Sequence, residues 1–483
     1  VVSELFIFRD LKVKLIWIEE TGDCRPDSIY RLLMNDLASS AHDTLAERHA
    51  ARRAALACMV TLAVVLGIGR FAFTPLLPLM LHGSTFGQPQ IDIQHGGWLA
   101  SFNYAGYFVG AVTCAALRVE PARMVRAGLV ATVLLTLAMG VTSQFWVWAL
   151  VRFVAGAVSA WTFVFASQWG LRRLTELSAH GWGGVIYTGP GVGIVGTGLL
   201  VSAAGGYGAT AGWIGFGLIA AVLSIAVWSV FGTVTDTTSR GAVLATGGST
   251  TAAHADQRSG GQHSAGQHNA DQYAANQKPA IQHAPTSHPP HRADAFWLVL
   301  LYGVPGFGYI ITATFLPVIA RHALPGSSWP DLFWPMFGAA LIVGALLAAR
   351  LPVHWDNRTL LAGCYVLQAA GIALGIVWPT AGGFSLGSML IGLPFTAITL
   401  FAMREARRLH GDEAAGLMGY ATAAYGIGQI VGPLVAAPIA EHTGSFSPAL
   451  WLAAGALLLG AVGLIIVARM PRGRGRMPDC GCN

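Results

Sequence analysis

Gly67-Ile-Gly-Arg-Phe-Ala-Phe-Thr-Pro-Leu-Leu-Pro-Leu-Met80 closes an apolar run that opens after Arg53 and ends near His82. Such a run is long enough to cross a bilayer. Arg70 sits near its middle, and a charge at that depth is costly unless it faces a protected or watery interior. Pro75 and Pro78 would break a soluble helix, but a membrane helix accepts them where neighbouring helices satisfy the freed carbonyls. The stretch has a distant copy, Gly306-Phe-Gly-Tyr-Ile-Ile-Thr-Ala-Thr-Phe-Leu-Pro317, with the same G-x-G…L-P order. A spanning helix with a buried charge, present twice, predicts a protein built from two related membrane halves.

Composition agrees. Charged residues are 11% of the 483 and hydrophobic residues 54%, against about 25% charged in an ordinary soluble domain. The net charge of +6 is modest, and no basic patch with interleaved aromatics supports nucleic-acid binding. The six cysteines are scattered or lie in apolar runs, which is no disulfide framework.

Counting about 20 apolar residues per crossing predicts twelve spans. They fall near 54–81, 96–117, 124–142, 145–170, 181–204, 211–232, 295–320, 330–350, 359–378, 384–405, 414–438 and 447–469. Arginines fix the orientation. Arg48, Arg52 and Arg53 precede span one, Arg118, Arg123 and Arg126 follow span two, and Arg172 and Arg173 follow span four. The second half repeats this with Arg350 and Arg358, then Arg404, Arg407 and Arg408, then Arg469 onward, while the alternate connections carry only Arg321. This positive-inside alternation puts both termini and the central loop in the cytoplasm.

The expected organisation is a tail over 1–50, a six-span bundle over 51–233, a linker over 234–293, a second bundle over 294–470 and a cytoplasmic tail over 471–483. Residues 1–33 read either as an over-extended start upstream of Met34 or as an interfacial tail. The linker is rich in Gly, Ala, Gln, Ser and His and reads as a disordered cytoplasmic tether. Its histidines are irregularly spaced, so no metal site is assigned to them.

Further pairs link the halves. Phe108-Val-Gly-Ala-Val matches Ile342-Val-Gly-Ala-Leu, and Ile194-Val-Gly196 matches Ile430-Val-Gly432, each in the equivalent span. Parallel six-helix repeats are the architecture of major facilitator transporters. Within that superfamily the sequence resembles the YbfB/YjiJ group. The opening stretch carries the resemblance, together with Gly96-Gly-Trp-Leu-Ala-Ser-Phe-Asn-Tyr-Ala-Gly-Tyr107, Arg152-Phe-Val-Ala-Gly-Ala-Val-Ser-Ala-Trp161 and Tyr425-Gly-Ile-Gly-Gln-Ile-Val-Gly-Pro433. It covers about residues 52–470 outside the linker.

The resemblance implies an all-α membrane protein of twelve helices in two pseudo-symmetric bundles. It further implies a secondary transporter of the bacterial inner membrane that moves a small molecule by alternating access, as a monomer and without a cofactor. Two departures stand out. Leu117-Arg-Val-Glu-Pro-Ala-Arg-Met124 lacks the superfamily's Gly-x-x-x-Asp-Arg loop, which leaves the usual gating salt bridge in question. Gly189-Pro190-Gly-Val-Gly193 is similar to the antiporter motif of drug exporters and favours export, although Gly181 is one residue too close for that motif.

Several enzyme-like patterns are incidental. Gly191-Val-Gly-Ile-Val-Gly196 follows no strand, Gly383-Phe-Ser-Leu-Gly387 opens a span instead of a strand–turn–helix, and no catalytic constellation accompanies them. Gly106-x-x-x-Gly110, Gly189-x-x-x-Gly193 and Gly428-x-x-x-Gly432, with Gly67, predict close helix packing, at the seams where the two bundles meet and rock.

Only Arg70 and Arg152 lie well inside spans, and the nearest carboxylates, Asp331 and Glu405, lie at span ends. At helical spacing Arg70 shares a face with Gly67 and Thr74, and Arg152 with Gly156 and Ser159. Tyr302, Tyr309 and Thr312 follow span seven, and Thr396, Thr399 and Met403 follow span ten. The resemblance places spans one, four, seven and ten around the central cavity. It thereby makes Arg70, Thr74, Arg152, Tyr309, Thr312 and Thr396 the candidate binding residues. Arg152 can equally brace neighbouring backbone, and the tyrosines and threonines can serve ordinary helix-to-helix hydrogen bonds. Two arginines without a carboxylate favour an anionic substrate. The competing reading is a transporter-like receptor that binds without translocating.

Overall fold

The computed structural model describes residues 47–83, 90–232, 292–352, 354–410 and 414–470. The expectations for residues 1–46, for the linker beyond 232 and for the tail after 470 lie outside them. Among the described residues the chain is all helical, and long apolar helices make it a multi-pass membrane protein.

The long helices are α1 (Glu47–His82), α2 (Ile93–Thr113), α3 (Pro121–Val141), α4 (Phe145–Glu176), α5 (Gly189–Ala204) and α6 (Gly208–Trp228). They continue with α7 (Arg292–Ala323), α8 (Pro330–Ala348), α9 (Asn357–Val377), α10 (Ala381–His410), α11 (Ala414–Thr443) and α12 (Ser447–Arg469). Ten helical segments are long and apolar enough to span, one of which, Gly183–Phe231, contains both α5 and α6. Helix α2 falls outside those ten. Its Gln94, His95, Ser101 and Asn103 dilute the apolar signal, and Ser101 and Asn103 turn into the protein interior.

Turn chemistry explains the short connections. Gly208 (φ 89°) opens α6 and Gly444 (φ 68°) separates α11 from α12, both in the left-handed region where a side chain is strained. Asp92 caps α2 by accepting from the His95 backbone N–H at 2.7 Å, filling one of the orphan donors of a helix start.

Helix pairings repeat along the chain. Helix α1 packs on α5, α2 on α4 and α3 on α6; α7 likewise packs on α11, α8 on α10 and α9 on α12. Three pairings join the chain's halves: α2 with α11, α5 with α8, and the end of α1 with α7. Each contact recurs when both helix numbers advance by six around the cycle.

The small-residue seams correct one expectation. A Cβ on Gly106 would overlap the Phe153 carbonyl, and one on Gly67 would overlap Gly193. Gly110 meets Ala157, Gly189 meets Met59, and Gly428 and Gly432 meet α7. All of these contacts lie within one half. The inter-half seams instead use Gly97 against Ala437 and Pro433, and Gly191 and Gly198 against Gly338 and Pro335. Without water to squeeze out, helices associate through close backbone approach, so each half needs it internally as much as between halves. Pro190 supports this by occupying the first turn of α5, where its missing N–H costs nothing.

A second finding concerns Glu405. It lies at the end of α10, as the sequence places it, but is only 1% exposed. Arg358 Nε donates to its Oε1 at 2.6 Å and Arg408 Nε to its Oε2 at 2.8 Å, while Arg358 also reaches Asp294 Oδ2 at 2.9 Å and the Val467 carbonyl at 3.0 Å. The cluster ties the ends of α7, α9, α10 and α12 together. Removing one partner of a buried ion pair strands the other, at a cost of about 3–5 kcal/mol. Glu405→Ala should therefore lower the thermal unfolding midpoint markedly in detergent, and an unchanged midpoint would show that the cluster holds nothing.

Candidate substrate-binding site

Helix α1 does not run straight through the membrane. Ala63–Ile68 forms a π-helical turn, in which the Gly69 N–H reaches Val64 O and the Phe71 N–H reaches Leu66 O, both at 2.9 Å. Such bulges recur at functional sites because they re-aim a side chain. The backbone turns over Gly69–Ala72 before the helix resumes at Phe73–His82. The Thr74 N–H donates to Phe71 O at 3.2 Å instead of to Arg70 O, freeing that carbonyl inside the membrane. Pro75 removes one more donor from the same turn.

Arg152 answers this break. Its Nη1 lies 3.4 Å from both Gly69 O and Arg70 O, its Nη2 3.4 Å from Arg70 O, and its Nε 3.5 Å from Leu99 O. The Phe73 ring covers its guanidinium with the centroid at 4.6 Å, a favourable cation–π placement. Asn103 Nδ2 donates to the Arg152 carbonyl at 2.9 Å. The guanidinium is thus engaged by backbone, the bracing alternative of the sequence reading.

Arg70 is arranged differently. It is 5% exposed, and its Nη2 donates to Gln429 Oε1 at 3.0 Å. Its Cζ stands 4.0 Å from the Tyr107 ring centroid, 5.1 Å from that of Tyr104 and 5.3 Å from that of Phe71. Nε has no hydrogen-bond partner, and among the described residues no carboxylate pairs with the side chain. Gln429 Nε2 in turn donates to Tyr309 Oη. Tyr309 lies parallel to Tyr425 at 6.0 Å and edge-on to Phe395 at 5.0 Å, and Tyr302 stacks on Tyr425 at 5.0 Å. Tyr302 Oη donates to Thr399 Oγ1 at 3.1 Å. Tyr104 Oη and Thr314 Oγ1 share a hydrogen bond of 3.0 Å.

The result is an aromatic cage around one uncompensated cation, assembled from α1, α2, α7, α10 and α11. Of the residues expected to bind, Arg70 and Tyr309 come together through Gln429. Thr74 sits one turn away, where its hydroxyl donates to Ala313 O at 2.9 Å and links α1 to α7. Thr396 follows Phe395 beyond the break at Leu393 and Pro394 in α10, with an unpartnered hydroxyl. Thr312 leaves the group and lines a small inner pocket between α7, α9, α10 and α12.

Sequence reading missed Tyr104, Tyr107, Tyr425 and Gln429 because it confined the cavity to spans one, four, seven and ten. The signal was present: Tyr104/Tyr107 and Tyr425/Gln429 have the three- and four-residue spacing of a shared helix face.

The family model for "Uncharacterised MFS-type transporter YbfB" matches residues 62–255 and 271–465. The chain belongs to that family of transporters. A chloramphenicol resistance protein from Streptomyces lividans is 34% identical over 168 residues, which are 32% of this chain and 38% of that protein. The match therefore spans well under half of that relative's length. Among solved structures, a mutant of the nucleoside transporter NupG superposes with a TM-score of 0.60 at 12% identity, covering 86% of this chain and 99% of that one. This likeness speaks to the fold alone.

Proposed function

We propose that this protein is a secondary transporter that binds an anionic small molecule at Arg70 and moves it by alternating access between two six-helix bundles. The observation that carries the reading is the Arg70 cage, a buried guanidinium walled by aromatics with, among the described residues, Nε unpartnered and no carboxylate pairing with it. A buried charge without a counter-ion is costly, and a substrate carboxylate or phosphate offsets that cost through a planar, charge-assisted fork. Tyr104, Tyr107, Tyr309 and Gln429 supply directional hydrogen bonds and stacking surface around it.

The pairing of helices that repeats at intervals of six supports twelve crossings in two pseudo-symmetric bundles, residues 51–233 and 294–470. Helix α2 is then a crossing shielded by its neighbours. The arginine alternation supports cytoplasmic termini and a cytoplasmic linker over 234–293, in a bacterial inner membrane. The relative named for chloramphenicol resistance and the glycine run Gly189–Gly193 favour export. The substrate site lies within a single chain, as a functional monomer requires.

Counterflow tests translocation. Proteoliposomes preloaded with unlabelled substrate should transiently accumulate labelled substrate without an energy source, whereas a receptor would bind it and exchange nothing. Topology has its own check. Single cysteines at Glu120 and Thr175 should react only from the cytoplasm, and those at Tyr207 and Thr443 only from outside. Reversal in either half would break the two-bundle reading.

A further inference from the structure

A cavity of about 680 Å³ opens at the end of the protein that carries the α1–α2, α7–α8, α9–α10 and α11–α12 connections. It lies against α7, α9, α11 and α12, with the end of α1 and the start of α2 forming one side. A second hollow shares Ile319, Gly375, Phe384 and Leu450 with it and has room for about 20 Å³. At that inner end sits Thr312, 6% exposed, with a hydroxyl that has no hydrogen-bond partner. Polar groups buried to this degree are almost always satisfied, so a hydroxyl facing an open niche points to a missing partner. None of the residues of the Arg70 cage lines either hollow.

We propose that the two hollows form a second ligand site, for an uncharged alcohol whose apolar body fills the outer cavity and whose hydroxyl meets Thr312. The niche has the volume for a single oxygen-sized group. The only other hydroxyl lining it, on Ser388, already donates to Phe384 O at 2.7 Å. Ile319, Leu316, Ile372, Ile391 and Phe384 make up its apolar wall. No cation lines the niche, so a carboxylate there would be desolvated without a counter-charge.

The charged groups at the mouth are already engaged. Arg321 Nη2 donates to Asp331 Oδ1 at 2.6 Å, and Asp92 is taken up by His95. His82 and His322 add ring nitrogens there, which suit a hydrogen-bonding ligand. The two sites lie in series. Ile319, Leu316 and Thr312 descend α7 toward Tyr309, and Phe384, Ser388 and Ile391 descend α10 toward Phe395, both members of the cage. The second site stands on the cavity and on Thr312, not on the anion preference of Arg70.

The test uses full-length protein in lipid nanodiscs with its native cysteines replaced by alanine. Methyl methanethiosulfonate, an uncharged reagent that adds one SCH₃ group, is applied to Thr312→Cys and to Thr314→Cys. Thr314 is fully buried on another face of α7, against Tyr104, so its reaction must await local opening. Thr312→Cys should react about tenfold faster or more. The neutral alcohol 3-phenyl-1-propanol should slow that reaction several-fold, while 3-phenylpropionate should not. Gly375→Leu, which fills the junction of the two hollows, should abolish both the fast reaction and the protection.

Equal rates at Thr312 and Thr314, or protection by the acid as strong as by the alcohol, would overturn the proposal. If Thr312→Cys does not fold, binding of 3-phenyl-1-propanol to the otherwise native chain, read by ligand-observed NMR, decides. Loss of the signal in Gly375→Leu supports the site, and persistence overturns it.

Discussion

Arg70→Ala is expected to remove nearly all substrate binding while leaving expression and fold intact. Its guanidinium is the one buried cation of the cage and is spent on neither backbone nor a carboxylate. Among the described residues it meets the Gln429 amide and the rings of Tyr104, Tyr107 and Phe71. Losing one half of a buried, hydrogen-bonded charge pair costs about 2–5 kcal/mol, with most of it in faster release. Affinity for an anionic substrate should then fall by two or three orders of magnitude. Arg70→Lys keeps the charge but not the fork, and should fall between the wild type and alanine. Thermal unfolding should move much less in Arg70→Ala than in Arg152→Met, because only Gln429 Oε1 is stranded and a buried charge without a counter-ion among the described residues is removed. Substrate titration and unfolding of the same preparations would check both halves of this expectation.

Arg152 should behave in the opposite way. Arg152→Met removes the donor shared by the carbonyls of Gly69, Arg70 and Leu99, and strands those of Gly69 and Arg70 at the break in α1. Each stranded group costs about 1–3 kcal/mol, so the yield and unfolding midpoint of Arg152→Met should drop sharply. The break in α1 depends on this brace, and the aim of Arg70 depends on the break. Arg152→Lys should recover stability in part, since an ammonium can reach one or two of the three carbonyls. A stable Arg152→Met that has lost only substrate affinity would instead put Arg152 in contact with substrate.

The two arginines show how far a sequence of this kind can be read. Their presence, their depth and the absence of a nearby carboxylate follow from hydropathy and helical rise alone. That one guanidinium turns to backbone and the other to an aromatic cage depends on where α1 leaves regular geometry, and Ala63–Ile68 carries no distinctive composition. Pro75 and Pro78 mark the neighbourhood of the break without fixing its site.

Thr312 illustrates a second limit. Three residues along a helix from Tyr309 is about 60° short of a full turn. That rotation separates the central cage from a pocket inside the C-terminal half. Glu405 illustrates a third: the sequence places it at a span end, but that Arg358 and Arg408 enclose it depends on the ends of α7, α9 and α12 converging there. Helix α2 is the converse. Its Tyr104, Ser101 and Asn103 weaken the hydropathy of the span, yet they are what join it to α7, α11 and α4.

The most direct test of the Arg70 site is an affinity comparison between carboxylates and their uncharged amides, titrated against the protein in lipid nanodiscs. The wild type should bind the carboxylate at least about tenfold more tightly than its amide, a difference of 1.4 kcal/mol. Arg70→Gln should bind the two alike. Preference for the amide or for a cation in the wild type, or an unchanged carboxylate preference in Arg70→Gln, would contradict the assignment of Arg70 as the anion-binding group.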